Sequence, residues 1–130
     1  VLELEVREEQ RHLVASNAKS IAQAHYADVA WFRAIYAGET PVGFIMLALD
    51  DKGPSDIEWR LMVDASHQGK GYARQAMERV IEDARRRPNT RSLVLCHQPA
   101  DGNAGSFYQA LGFAYTGEKL DDELLMKLEL

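Results

Sequence analysis

The stretch from Ile57 to Arg87 constrains the fold more than any other: "IEWRLMV", then "DASHQGKGY", then "ARQAMERVIEDARRR". A strand-like apolar run passes through two glycines into a helical pattern. Ala73, Ala76, Met77, Val80, Ile81 and Ala84 recur at i, i+3, i+4, i+7, i+8 and i+11, one apolar stripe on a period of 3.6 residues. Arg85, Arg86 and Arg87 suit the negative end of that helix, and Pro88 stops it. Such a helix must bury its stripe, and the flanking strands offer a sheet for it to cover.

The rest of the chain supplies that sheet. "WFRAIYAGETPVGFIMLALDD" reads as two strands joined by a turn through Gly38 and Pro41. Its run from Val42 to Leu49 is almost wholly apolar, as in a strand buried on both faces. "DKGPSD" is a second turn, and a strand follows from Ile57 to Val63. "SLVLCHQP" predicts another buried strand. A short helix is expected from Asn103 to Leu111, ended by Gly112. "FAYTGEKL" and "ELLMKLEL" read as a closing hairpin, with Leu124, Met126, Leu128 and Leu130 alternating inward. Upstream, Val14, Ala18, Ile21, Ala22 and His25 carry helical spacing between Glu8 and Tyr26. Residues 1–7 alternate like a strand but hold good helix formers. The order is helix, three strands, helix, strand, helix, two strands, a mixed α/β sheet without strict βα alternation.

At 130 residues and 46% hydrophobic, the chain has the material for one domain, residues 1–130, and not for two. A formal net charge of −5 argues against nucleic acid as the main partner. The single cysteine, Cys96, excludes an internal disulfide framework, and its place in "SLVLC" predicts a buried strand thiol. His12, His25, His67 and His97 show no ligand spacing, and no CxxC or HExxH occurs, so no metal is expected. No signal peptide or long apolar span is evident, and a soluble cytoplasmic protein is the expectation.

A glycine turn between strand and helix leaves backbone N–H groups at the positive helix end and lets an anion come close. That suits a phosphate or pyrophosphate, with Lys70 and Arg74 adding charge at the rim. The Walker pattern is absent, since Tyr72 follows Gly71. The dinucleotide fingerprint also fails, because it needs glycine where Arg74 stands. Gln68, Gly69, Lys70, Gly71, Tyr72 and Ala73 instead spell Q-x-x-G-x-A, which resembles the pyrophosphate signature of GNAT-type N-acetyltransferases. "NAGSFYQALGF", from Asn103 to Phe113, is similar to that family's block of an Asn and a small residue followed by Y-x-x-x-G-F. "EEQRHLVASNAKSIAQAHY", "PVGFIMLALDD", "RLMVD" and "TGE" resemble the diamine and polyamine acetyltransferase branch.

The resemblance implies a GNAT-like acyl-coenzyme A N-acyltransferase fold, a mostly antiparallel sheet with a V-shaped splay and helices on both faces. The family opens with a strand before its first helix. That strand is expected to be missing or trimmed here, with residues 1–7 as the end of the helix. Acetyl-coenzyme A is the implied cosubstrate, and the primary amine of a small polyamine or diamine is the implied acceptor. An antibiotic amine, an amino acid or a protein N-terminus is the alternative acceptor, and a non-catalytic acyl-coenzyme A sensor the alternative role. A homodimer is the implied assembly.

Leu61, Met62 and Val63 would line the pantetheine arm through their main chain. Gln68 to Arg74 would hold the pyrophosphate, and Asn103 would bond the pantetheine arm or place the site. Tyr108 would protonate the leaving thiolate as general acid. An alkyl ammonium titrates near ~10, so the amine must lose a proton. Glu58 is the expected base, on the strand face of Arg60 and Met62, with an ion pair to Arg60 as the competing role. Glu123, Tyr26 and Trp31, with Trp59 and Tyr36, are candidates for binding a cationic substrate.

Overall fold

The computed structural model describes residues 3–8, 17, 19, 21, 30–48, 55–99 and 105–130, with the backbone alone at 30 and 55–59. Its strands are β1 (Ala30–Ala37), β2 (Thr40–Ala48), β3 (Ser55–Val63), β4 (Ser92–His97), β5 (Ala114–Leu120) and β6 (Glu123–Glu129). Helix α1 (Tyr72–Arg86) joins β3 to β4, and α2 (Gly105–Ala110) precedes β5. The six strands form one sheet in the order β1-β2-β3-β4-β6-β5. Every neighbouring pair is antiparallel except β3 and β4, whose parallel pairing requires the α1 crossover.

The apolar patterns place the core. Val42 to Leu47 are all buried, so β2 is covered on both faces. Ile45 and Leu47 meet Met77, Val80, Ile81 and Ala84 of α1, together with Leu93, Leu95, Met126 and Leu128. On the opposite face Phe44, Met46 and Met62 pack with Leu4, Val6 and Ile21. The β6 alternation holds, with Met126 and Leu128 buried and Lys127 and Glu129 exposed. Gly112 ends the turn after α2 at φ +101°, a conformation that favours glycine.

Residues 3–7 are not the end of a helix. Residues 4–7 have no regular structure. Glu5 instead docks on the end of β3: its N–H donates to Asp64 Oδ1 at 3.0 Å, and its carbonyl accepts from Ala65 N–H at 2.8 Å. Those two bonds, with Leu4 and Val6 on the core, outweigh the helix propensity of a short segment. Of the expected helix between Glu8 and Tyr26, Asn17, Lys19 and Ile21 are helical, and Val14, Ala18, Ala22, His25 and Tyr26 lie outside the described residues. Asn103 lies outside them too.

Candidate active site

The site begins as a failure of strand pairing. Strands β3 and β4 pair only at Ser55↔Ser92, Asp56↔Leu93 and Ile57↔Val94. Beyond that point β3 runs on to Val63 beside β2, while Leu95, Cys96 and His97 of β4 pair with β6. The two strands therefore part into a V. A register shift marks where they part: Met46 of β2 lies opposite Arg60, but its neighbour Leu47 lies opposite Glu58, leaving Trp59 as an extra residue in β3. Such a bulge bends its strand, and bulges gather beside functional sites.

The expected grouping of Glu58 with Arg60 and Met62 spans that bulge, across which Glu58 and Arg60 oppose consecutive residues of β2. The side chains of Glu58 and Trp59 are outside the described part of the structure.

The edge that β3 turns to the gap can be read from its ladder. Asp64 N–H donates to Val42 O at 2.7 Å, so Asp64 faces β2. Backbone groups in an antiparallel strand alternate sides, so those of Met62 also face β2 and those of Val63 and Leu61 face the gap. The Gln68 amide confirms the phase by donating to Val63 O at 2.9 Å. Leu61 and Val63 thus present main chain to the gap, while Met62 contributes a buried side chain.

Gly43 permits the close approach of β2 and β3 here. A Cβ at that position would stand 2.4 Å from Met62 O. A glycine inside an apolar strand is a sequence signal of such an approach.

The loop that follows is held from one side and open on the other. Asp64 caps the turn Ala65–His67, its carboxylate accepting from Ser66 N–H at 3.3 Å, Ser66 Oγ–H and Glu5 N–H. His67 Nδ1 stands 3.3 Å from Asp64 Oδ2. Bonds from Ser66 and from the Glu5 backbone, with His67 adding a smaller part, bring the Asp64 carboxyl from 3.8 down to about 2.

Gly69 and Gly71 follow with φ of +78° and +84°, where any other residue is strained. A Cβ at Gly69 would meet nothing within 4 Å, so its glycine serves backbone angle and open space. No described side chain caps α1, whose first ladder bond runs from Gln75 N–H to Gly71 O at 3.1 Å. The N–H groups of the first turn, at Tyr72, Ala73 and Arg74, stand at its positive end. Lys70 is exposed beside them, and Arg74 pairs with Glu78 at 3.1 Å. A gap offering strand main chain, leading to an uncapped helix end, fits a pantetheine arm and its pyrophosphate.

Residues 2–113 match the family model described as Acetyltransferase (GNAT) family. The chain belongs to the GNAT acetyltransferase family. Members of that family use acetyl-coenzyme A. No curated protein sequence matches this GNAT chain.

The fold is shared with solved structures. An acetyltransferase from Thermus thermophilus superposes with a TM-score of 0.73 at 22% identity, covering 86% of this chain and 71% of that one. A Bacillus subtilis acetyltransferase in complex with CoA gives 0.72 at 19% identity, covering 97% and 94%. The ribosomal-protein-S18-alanine N-acetyltransferase from Escherichia coli gives 0.72 at 17% identity, covering 92% and 82%.

The remaining GNAT site candidates fall in different places. Tyr108 lies in α2 at 5% exposure, edge-on to Phe107 and Phe113 with ring centroids 5.0 and 5.7 Å away. Glu123 is half-buried at the start of β6. Cys96 has its thiol pushed up by burial and, second, by the Glu123 charge, and Glu123 stands one residue before Leu124, the register partner of His97. Trp31 packs on the α1 side of the core from β1, two strands away from the gap, with the Arg33 guanidinium carbon 4.7 Å from its ring centre. Among the described residues, no group of three or more His, Cys, Asp or Glu could hold a metal, and no helix is long and apolar enough to cross a membrane.

Two features of this site went unread in the sequence. The Trp59 bulge has no local signature. The contact between His97 Nε2 and Tyr115 Oη at 2.9 Å joins residues 18 apart that only the strand order brings together.

Proposed function

We propose that the protein transfers the acetyl group of acetyl-coenzyme A directly to a primary amine of a small diamine or polyamine. The gap between β3 and β4 carries this reading, because it offers strand main chain that leads through the glycine loop to a helix N-terminus without a side-chain cap. Val63 and Leu61 orient the pantetheine arm by main-chain hydrogen bonds, and Gly69 to Arg74 hold the pyrophosphate. Gln68 acts by fixing Val63 and the loop relative to each other. The bound thioester supplies an activated acetyl group.

Tyr108 donates a proton to the departing sulfur, its ring held in one orientation by Phe107 and Phe113. Glu58 accepts the proton of the acceptor ammonium, directly or through water, and Asn103 helps place the site. The choice of a cationic acceptor rests on Glu123, whose charge reaches Cys96, and on Asp121 and Asp122 beside it in the β5–β6 turn. Holding thioester and amine in one cleft supplies most of the acceleration.

Thiol release from acetyl-coenzyme A with spermidine, spermine, putrescine and an aminoglycoside tests the reading. Turnover with a polyamine is expected, with kcat lowered about 100-fold or more in Tyr108→Phe. Gly71→Asp should raise the KM for acetyl-coenzyme A by placing a carboxylate at the anion site. Turnover confined to a different class of amine would overturn the substrate, and an unimpaired Tyr108→Phe would overturn the proton donor.

A further inference from the structure

The last residue of β4, His97, stands three positions past the final β3 contact at Val94, on the diverging lip of the gap. Both of its ring nitrogens are engaged. Nδ1 lies 3.0 Å from Gln98 O, and a carbonyl only accepts, so the hydrogen sits on Nδ1. In the neutral ring Nε2 is then an acceptor, and Tyr115 Oη, 2.9 Å away, donates to it. The Tyr115 proton is committed, and its oxygen presents lone pairs outward.

Tyr115 comes from β5 and reaches His97 across β6. Its register partner Met126 lies opposite Leu95, two residues before His97. The reach coincides with an irregularity in β5, where Thr116, Gly117 and Glu118 stand against the single residue Leu125 and Gly117 takes φ +88°. Tyr115 remains 42% exposed, so the pair is open to a ligand. The two rings lie 5.6 Å apart and tilted by 60°, giving two aromatic walls.

We propose that His97 and Tyr115 form the acceptor subsite, in which the Tyr115 oxygen accepts an N–H hydrogen bond from the substrate amine. This rests on the amine-acetylation reading and adds to it the residues that select the acceptor. A hydroxyl that donates to imidazole is a stronger acceptor, because chained hydrogen bonds polarise one another. The ring faces favour a cation. The charges around the pair agree: Lys119 shares the row of His97 through Leu124, and Lys127 pairs with Glu129 at 3.1 Å, but Glu118, Asp121, Asp122, Glu123 and Glu129 outnumber the two lysines along the same hairpin. Tyr115 and His97 bind and orient the amine, and Glu58 remains the proposed proton acceptor.

The test measures KM for amine and for acetyl-coenzyme A separately in Tyr115→Phe, His97→Leu, His97→Gln and the Tyr115→Phe/His97→Leu double variant. Tyr115→Phe keeps the ring and removes only the hydroxyl. It should raise the amine KM about tenfold or more and leave the acetyl-coenzyme A KM within about twofold. His97→Leu should do the same, and the double variant should add little, because both remove one hydrogen-bonded unit. His97→Gln, which can still accept from the hydroxyl, should recover most of the loss.

An unchanged amine KM in Tyr115→Phe, equal rises for both substrates, or additive effects would each overturn the subsite. If the wild type acetylates only a different amine, the polyamine reading falls, and the same variants decide the subsite with that amine. If no amine is acetylated, the subsite falls with it.

Discussion

Asp64 shows how much a single residue can organise at the end of β3. Its carboxylate joins the N-terminal segment, through Glu5, to the turn that opens the loop. The carboxyl is held at about 2, below the usual 3.8, so it favours folding wherever it is ionised. That stability is complete above pH ~4 and is lost as the pH falls toward about 2. Asp64→Asn should therefore cost at most about 2 kcal/mol at neutral pH. The difference from wild type should shrink in acid, as urea unfolding at pH 6 and pH 3 would show. An equal cost at both pH values would mean that shape, not charge, matters at this position. An Asp two residues before a Ser is a turn signal that a sequence displays. Its bond to Glu5 is not legible there, because 59 positions separate the two.

At the scale of elements, β3 departs from regularity twice. The Trp59 bulge redirects it as it leaves β4, and Gly43 lets β2 approach its far end. Gly43→Ala would put a methyl group against Met62 O, and neither strand can yield without shifting the edge that faces the gap. A loss of about 1–3 kcal/mol is expected, together with a higher KM for acetyl-coenzyme A. Thermal unfolding and initial rates measure the two effects. A destabilised variant with unchanged KM would separate this contact from the gap. The helix α1 was legible because its period is internal: Met77, Val80, Ile81 and Ala84 are buried as their spacing requires. The parting of β3 from β4 was expected only by likeness to the family, since no run of residues encodes the loss of a neighbour.

At the scale of the whole molecule, β1–β3 and β4–β6 share only three paired residue positions, between β3 and β4, and α1 bridges them through its core contacts with both halves. A ligand that hydrogen-bonds across the gap should therefore stabilise the fold as a unit. Acetyl-coenzyme A at about a hundredfold over Kd should add roughly 2.7 kcal/mol, several degrees in Tm. Gly71→Asp should abolish that rise, and a rise retained in the variant would place the pyrophosphate elsewhere. The sequence by itself determined the strands, the α1 stripe, the glycine loop and the two blocks that carry the family likeness, because each is a pattern within a few residues. Only the tertiary structure decided that Glu5 caps β3 through Asp64, that Trp59 is an extra residue between Glu58 and Arg60, and that Tyr115 holds His97 at the lip of the gap. Those depend on which strands lie side by side and where one carries an extra residue, and both are set by packing the sheet as a whole.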